Sequence, residues 1–127
     1  MIQNGSYLNV IDNSGARVAY CIKVSFGFKR RYASIGDLIV ISIKSLRTKR
    51  RSTSKTKKGE IHKAVIVRTK KKQKNAFGDS FSFFENSIVL LNKQHKFIGT
   101  RIFGSVPKKL RYTKFLKIIS LSSGLVF

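Results

Sequence analysis

The chain has 127 residues, 42% hydrophobic and 11% aromatic, and its 27 Lys and Arg against five Asp and Glu give a formal charge of +22. That much apolar surface excludes a basic disordered arm, and the length predicts one folded unit, 1–127, rather than two ordinary domains. The single cysteine, Cys21, excludes an intramolecular disulfide and a cysteine-based metal site, and no apolar run approaches the roughly eighteen residues of a membrane span, so no membrane partner is expected.

The first ten residues have neither the charged-then-apolar layout of a secretory signal nor the Arg-rich amphipathic look of an import segment. The expectation is a chain made where it works, or one that begins after processing. YLNVI (7–11) reads as a strand closed by the turn Asp12, Asn13, Ser14 and Gly15, whose side chains favour Asx-type bonds or positive φ. ARVAYCIKV (16–24) reads as a second strand, with Val18, Tyr20, Ile22 and Val24 on one face and Arg17, Ala19, Cys21 and Lys23 on the other. A basic loop with Arg30 and Arg31 follows, then a turn at Gly36 and Asp37. LIVISIK (38–44) is β-branched enough to predict burial on both faces at its start and on one face later.

Residues 47–74, RTKRRSTSKTKKGEIHKAVIVRTKKKQK, hold thirteen of the 27 cations and one acid, Glu60. The strand 61–69 in its middle needs burial, and the arms on either side carry charge too dense to bury without counter-ions. Cations fixed this way call for a polyanion. At most five of the 27 can meet an acid within the chain, which leaves twenty-two for water, salt or phosphate. Further turns are predicted at 78–80, between strands ending at Phe77 and starting at Phe81, and at 85–86 before a strand at 88–92. From Ile98 the texture changes: a compact Gly-flanked loop at 99–104, a short helix capped by Ser105 with Pro107 in its first turn, a second capped by Thr113, and a tail without period. The fold class expected is mainly β: a small five-stranded β-barrel with basic arms (1–97), one of them a basic hairpin extension, and a short C-terminal helical lobe (98–127).

No His, Cys, Asp or Glu cluster has metal or acid–base spacing, so neither metal, cofactor nor catalytic group is expected and the chain is read as no enzyme. Phosphate neutralisation by Lys49, Arg50, Arg51, Lys70, Lys71 and Lys72 in the arms, and by Arg17, Lys23 and Lys44 on strand faces, is the chemistry offered. Asn13 and Ser14 suit either 2′-hydroxyl contact or turn capping.

These pieces, in this order, resemble the universal large-subunit ribosomal proteins of the L-fourteen type: MIQ at the start, LNVIDNSGAR (8–17), CIKV (21–24), RRYASIGDLIVISIK (30–44), KKGEIHKAVIVRTKK (57–71), VLLN (89–92), GTRIFG (99–104) and KFLKIISL (114–121). The resemblance implies a barrel lodged against large-subunit rRNA, which the DNSGAR turn, Arg30, Arg31 and the arms would face. It also implies a bridge to small-subunit rRNA, a neighbour of the L-nineteen type, and docking of a ribosome silencing factor near Thr100, Arg101 and Lys114. The chain departs from the bacterial pattern in a longer, more basic arm before Gly59, where a Pro-Gly turn is usual, and from the family's usual forms in AFGDS (76–80), which replaces a proline and an Asp-Gly turn, in GSVPKKL (104–110), and in its tail. A structural ribosomal protein is thus the leading expectation, with a free-standing RNA- or single-strand-DNA-binding barrel or RNA chaperone as the alternative. The high Phe, Ile, Lys, Ser and Asn content, with no Trp and one Pro, suits an AT-rich genome, so an organelle-encoded protein of the mitochondrial ribosome is expected, with chloroplast or bacterial cytoplasm as alternatives.

Overall fold

The computed structural model describes residues 1–25, 27–50 and 52–126. Its elements are β1 (Tyr7–Val10), β2 (Ala16–Val24), β3 (Leu38–Leu46), a 3₁₀ turn (Thr48–Arg50), β4 (Ile61–Arg68), β5 (Gln73–Lys74), β6 (Ser80–Phe81), β7 (Ser87–Leu91), β8 (Ile102–Pro107), a second 3₁₀ turn (Lys108–Tyr112), α1 (Lys117–Leu121) and β9 (Ser122–Val126). Strands β1, β2, β3, β4 and β7 close a barrel in that order. Its neighbours are antiparallel except at the seam, where β1 and β7 run parallel with Asn9 opposite Ser87 and Val10 opposite Ile88. The expected five-stranded barrel is what forms.

Two apolar layers explain why two strands lack polar alternation. Ala64 and Ile66 of β4 and Ile88 and Leu90 of β7 fill the barrel interior with Leu8, Ile39, Ile41 and Ile43. The residues between them, Val65, Val67, Val89 and Leu91, face outward into a second layer with Ile102, Val106, Leu110 and Ile118 of the C-terminal lobe. Burial on both faces turns period-2 patterning into continuous runs, AVIV and SIVLL. Each large aliphatic side chain removed from water contributes about 1.5–3 kcal/mol, so the outer layer welds the lobe to the barrel wall. Ile61, expected to share that burial, begins β4 beyond the covered area and is 64% exposed.

The facing of β2 corrects the simple alternation. The buried residues are Ala16, Ala19, Cys21 and Val24, while Arg17, Ile22 and Lys23 are exposed. Register shifts between Ala16 and Val18, Val18 and Ala19, and Cys21 and Lys23 change the phase, because each irregularity re-aims the side chains after it. Small side chains at 19 and 21 suit the narrow lumen of a five-stranded barrel. Burial pushes the Cys21 thiol up from its ordinary value, outweighing a backbone hydrogen bond at Lys23. A thiol reagent is therefore expected to label Cys21 only as fast as the barrel opens. Labelling in native buffer at the rate seen in denaturant would contradict this placement.

The C-terminal lobe contains more strand than the sequence suggested. Ser105, Val106 and Pro107, expected to start a helix, lie in β8, which pairs in parallel with β9, formed by the tail in which no period is legible. Pro107 has φ −72° and ψ 141°, so its fixed φ serves an extended residue here. The turn around Thr113 is real, with its hydroxyl donating to the Leu110 carbonyl (2.8 Å) and accepting from Phe115 N–H (3.3 Å), but α1 starts only at Lys117. In the β5–β6 hairpin, Asn75 N–H donates to the Asp79 carbonyl (2.7 Å), which places Phe77 in the turn rather than at a strand end. Phe81 and Phe83 pack edge to face at 5.9 Å, whereas Phe77 and Phe84 stand 95% and 101% exposed.

Candidate nucleic-acid interface

The turn after β1 is organised by one buried carboxylate. Asp12 is fully buried; its Oδ1 accepts from the Ser14 N–H (3.0 Å) and the Ser14 hydroxyl, and its Oδ2 accepts from Leu90 N–H (3.0 Å) on β7. Asn13 then reaches across to the loop before β8. Its Nδ2 donates to Thr100 Oγ1 (2.8 Å), and its Oδ1 accepts from the N–H groups of Thr100 (2.8 Å) and Arg101 (3.3 Å). The two motifs singled out from sequence, DNSGAR and GTRIFG, thus hold each other. Gly99 permits the approach, since a Cβ there would lie 2.8 Å from Asp12 Cβ and 2.9 Å from Asn13 Oδ1. Ser14 has its hydroxyl committed to Asp12 and is fully buried, so of the two roles expected for it the structure displays turn capping.

The long arm between β3 and β4 is fastened onto this turn. Arg47 N–H donates to the Gly15 carbonyl (2.9 Å) and Lys55 N–H to the Ser14 carbonyl (3.0 Å), while Ser54 Oγ donates to Ser14 and Thr56 carbonyls (3.3 and 2.7 Å). The arm is therefore tied to the barrel at Arg47 and again at Ser54 and Lys55. Between the arm and β8 opens a cleft of about 780 Å³, lined by Asn9, Arg17, Arg47, Lys49, Arg68, Glu85, Phe103 and Gly104 among others. The Arg68 guanidinium forms part of its wall, with Nε donating to Ser105 O (2.8 Å), Nη2 to Phe103 O (2.5 Å) and Nη1 to Glu85 Oε1 (2.8 Å). Gly104 is needed beside it: at φ 81° it occupies the left-handed region, and a Cβ would strike Arg68 Nη2.

The other expected contact residues divide by what already holds them. Arg17, Lys23, Arg31, Lys44, Lys49, Lys70, Lys71 and Lys72 are exposed. Lys44 Nζ lies 5.2 Å over the Tyr20 ring, itself edge-on to Tyr7, which gives a cation and two aromatics on one patch of barrel wall. Arg30, though exposed, is engaged by Asp37 (2.5 Å) and the Tyr32 carbonyl (3.1 Å). Arg50 ends the 3₁₀ turn, and Arg51 falls outside the described residues. Thr100, Arg101 and Lys114 are all exposed; Thr100 and Arg101 sit at the Asn13 lock, and Lys114 lies between the second 3₁₀ turn and α1.

Sequence reasoning did not assemble the cleft, because Asn9, Arg47, Arg68, Glu85 and Phe103 come from five separate segments. A usable signal was Arg68 ending a buried β-branched run, where a cation must find partners or a surface. Burial pushes the Glu85 carboxyl up, but the neighbouring Ser87 hydroxyl, the hydrogen bonds from Asn9 and Arg68 and the Arg68 charge outweigh it and hold the group below its ordinary value of 4.5. A carboxyl depressed in the folded state stabilises folding above its unfolded pKa, and that contribution disappears as pH falls through the folded value. Glu85→Gln is therefore expected to flatten the acid limb of stability below about pH 4.5. With the side chain 38% exposed, the effect stays below about 1 kcal/mol. Denaturant melts at pH 7 and pH 3 check this, and equal losses at both would contradict it.

Among the described residues no group of three or more His, Cys, Asp or Glu side chains is gathered as metal ligands, and no helix is long and apolar enough to cross a membrane. The arrangement offers fixed cations, aromatic faces and hydrogen-bond donors. The family model for ribosomal protein L14p/L23e matches residues 1–126.

Proposed function

The chain belongs to the ribosomal protein L14p/L23e family, whose members are structural proteins of the large ribosomal subunit, and from that premise we propose that it seats its barrel against large-subunit rRNA through the arm, the DNSGAR turn and the β4–β5 segment. The observation that carries this is the anchoring of the arm: two backbone bonds and Ser54 tie it to the Asp12 turn, so Lys49 is presented from a rigid base beside Arg17. Pre-positioned cations release counter-ions from phosphate without further ordering of the protein. Lys70, Lys71 and Lys72 extend the same surface beyond the barrel, with Lys70 N–H fixed by Asn86 Oδ1 (2.9 Å).

Within the subunit, the exposed Thr100, Arg101 and Lys114 are assigned to the face toward the small subunit, where they meet small-subunit rRNA and a ribosome silencing factor. A large-subunit protein of the L-nineteen type is the assigned neighbour. The composition, poor in Trp and Pro and rich in Lys, Phe, Ile and Asn, favours a mitochondrial ribosome over a chloroplast or bacterial one. Sedimentation of tagged organelle lysate in high salt tests the assignment. Co-migration with large subunits supports it, and recovery at the top of the gradient, as expected of a free-standing RNA-binding barrel, overturns it.

A further inference from the structure

We propose that the cleft between the long arm and β8 receives a single unpaired nucleotide of the RNA, its phosphate on Arg17 and Lys49 and its base against Phe103 and the Arg47 guanidinium. This rests on the RNA-binding reading above and adds to it a specific pocket and a specific state of the bound strand.

Four cations line the cleft against one acid, and they are not equivalent. Arg68 and Glu85 are paired to each other, and Arg68 is also bonded to two backbone carbonyls, so this pair forms wall rather than hook. Arg17 and Lys49, both exposed, carry the charge that a phosphate would meet. Phe103, in the same lining, is the centre of a stacking platform: Arg47, also of the lining, and Arg101, outside it, place their guanidinium carbons 5.2 and 5.5 Å from its ring centre. The platform is fixed, because Arg47 Nη2 donates to Val10 O (3.1 Å), Phe103 N–H donates to Ile11 O (2.8 Å), and the Phe103 carbonyl is taken by Arg68. The Asn9 amide, donating once to Glu85 (3.0 Å), stands at the same cleft with a carbonyl suited to a base edge.

Size selects the occupant. A cleft of about 780 Å³ falls in the range of roughly 300–1,000 Å³ that encloses small ligands, far short of a duplex. An A-form helix hides its bases, whereas unpaired bases splay onto aromatic rings and Arg planes. The platform therefore discriminates strand state, while exposed lysines elsewhere bind either form through charge.

The test uses the full-length chain with two fluorescent probes of equal length, a single-stranded RNA oligonucleotide and a blunt RNA duplex, at fixed salt. Phe103→Leu keeps an apolar side chain and removes the ring; Arg47→Gln removes the cationic plane without touching the apolar layers. Phe103→Leu is expected to weaken single-strand binding about tenfold and to leave duplex binding within about twofold, and Arg47→Gln, which also removes a charge of the arm, to weaken single-strand binding clearly more than duplex binding. Equal weakening of both probes, or no change in either, overturns the pocket while leaving RNA binding intact. Failure of the unaltered chain to bind either probe overturns the RNA-binding reading instead. Adenosine monophosphate is added as competitor: displacement only at concentrations far above the oligonucleotide's supports a nucleotide held within a strand, and displacement at equal concentration overturns it. Photocrosslinking of a 4-thiouridine oligonucleotide provides a second readout, expected at peptides containing Phe103 or Arg47, and crosslinks confined to the β5–β6 hairpin contradict the proposal.

Discussion

Asp12→Ala is expected to lower the free energy of unfolding by about 3–4 kcal/mol. The carboxylate is fully buried and satisfies the backbone N–H groups of Ser14 and Leu90 together with the Ser14 hydroxyl. Alanine leaves those donors without an acceptor in a place water does not reach, at about 1–3 kcal/mol for each orphaned group. The hydroxyl can rotate, so the two N–H groups dominate. The damage extends to the fold's joints, since the same turn holds the arm through Gly15 and Ser14 carbonyls and the GTRIFG loop through Asn13. Because domains of this size are stable by only about 5–15 kcal/mol, the variant should populate unfolded chain near physiological temperature. Urea melts followed by circular dichroism measure the loss, and a change below about 1 kcal/mol would show that the turn is not organised by this carboxylate.

The second large effect is on binding. If six to ten of the exposed Lys and Arg meet phosphates, affinity for a folded large-subunit rRNA fragment should fall by about 10³–10⁵ between 50 and 200 mM salt. Replacing Lys49, Lys70, Lys71 and Lys72 together by Gln should reduce the slope of log K against log salt by about 3, since each phosphate contact contributes roughly 0.7–0.9. The four are exposed and outside the apolar layers, so the fold should persist. Titrations at several salt concentrations separate this from a stability effect. An unchanged slope would mean that these lysines face solvent in the complex.

How much of this was legible in the sequence depended on whether local pattern or distant pairing decided the outcome. Residues 38–44 and 64–67 were read correctly because two-sided burial leaves a local imprint, an apolar run too short for a membrane and too β-branched for a surface helix. The facing of β2 was misread because its register shifts depend on the pairing with β3, and nothing within ARVAYCIKV marks them. Pro107 illustrates the same limit: a φ near −70° serves a helix start and an extended strand equally, and its parallel partner β9 lies nearly twenty residues on. The basic arms were evident from composition, yet the anchoring of the first was not, since it comes from Ser14 and Gly15 carbonyls far away in sequence. The cleft was invisible for the same reason, although each motif contributing to it had been noticed.

Crosslinking of purified large subunits, followed by mass spectrometry of the RNA-linked peptides of this chain, tests most directly whether its fixed cations meet rRNA phosphate. Linked peptides should come from the segments bearing Arg17, Lys49 and Lys70–Lys72, each joined to large-subunit RNA. Linkage only to small-subunit RNA, or none from those segments while other subunit proteins crosslink normally, would contradict the account.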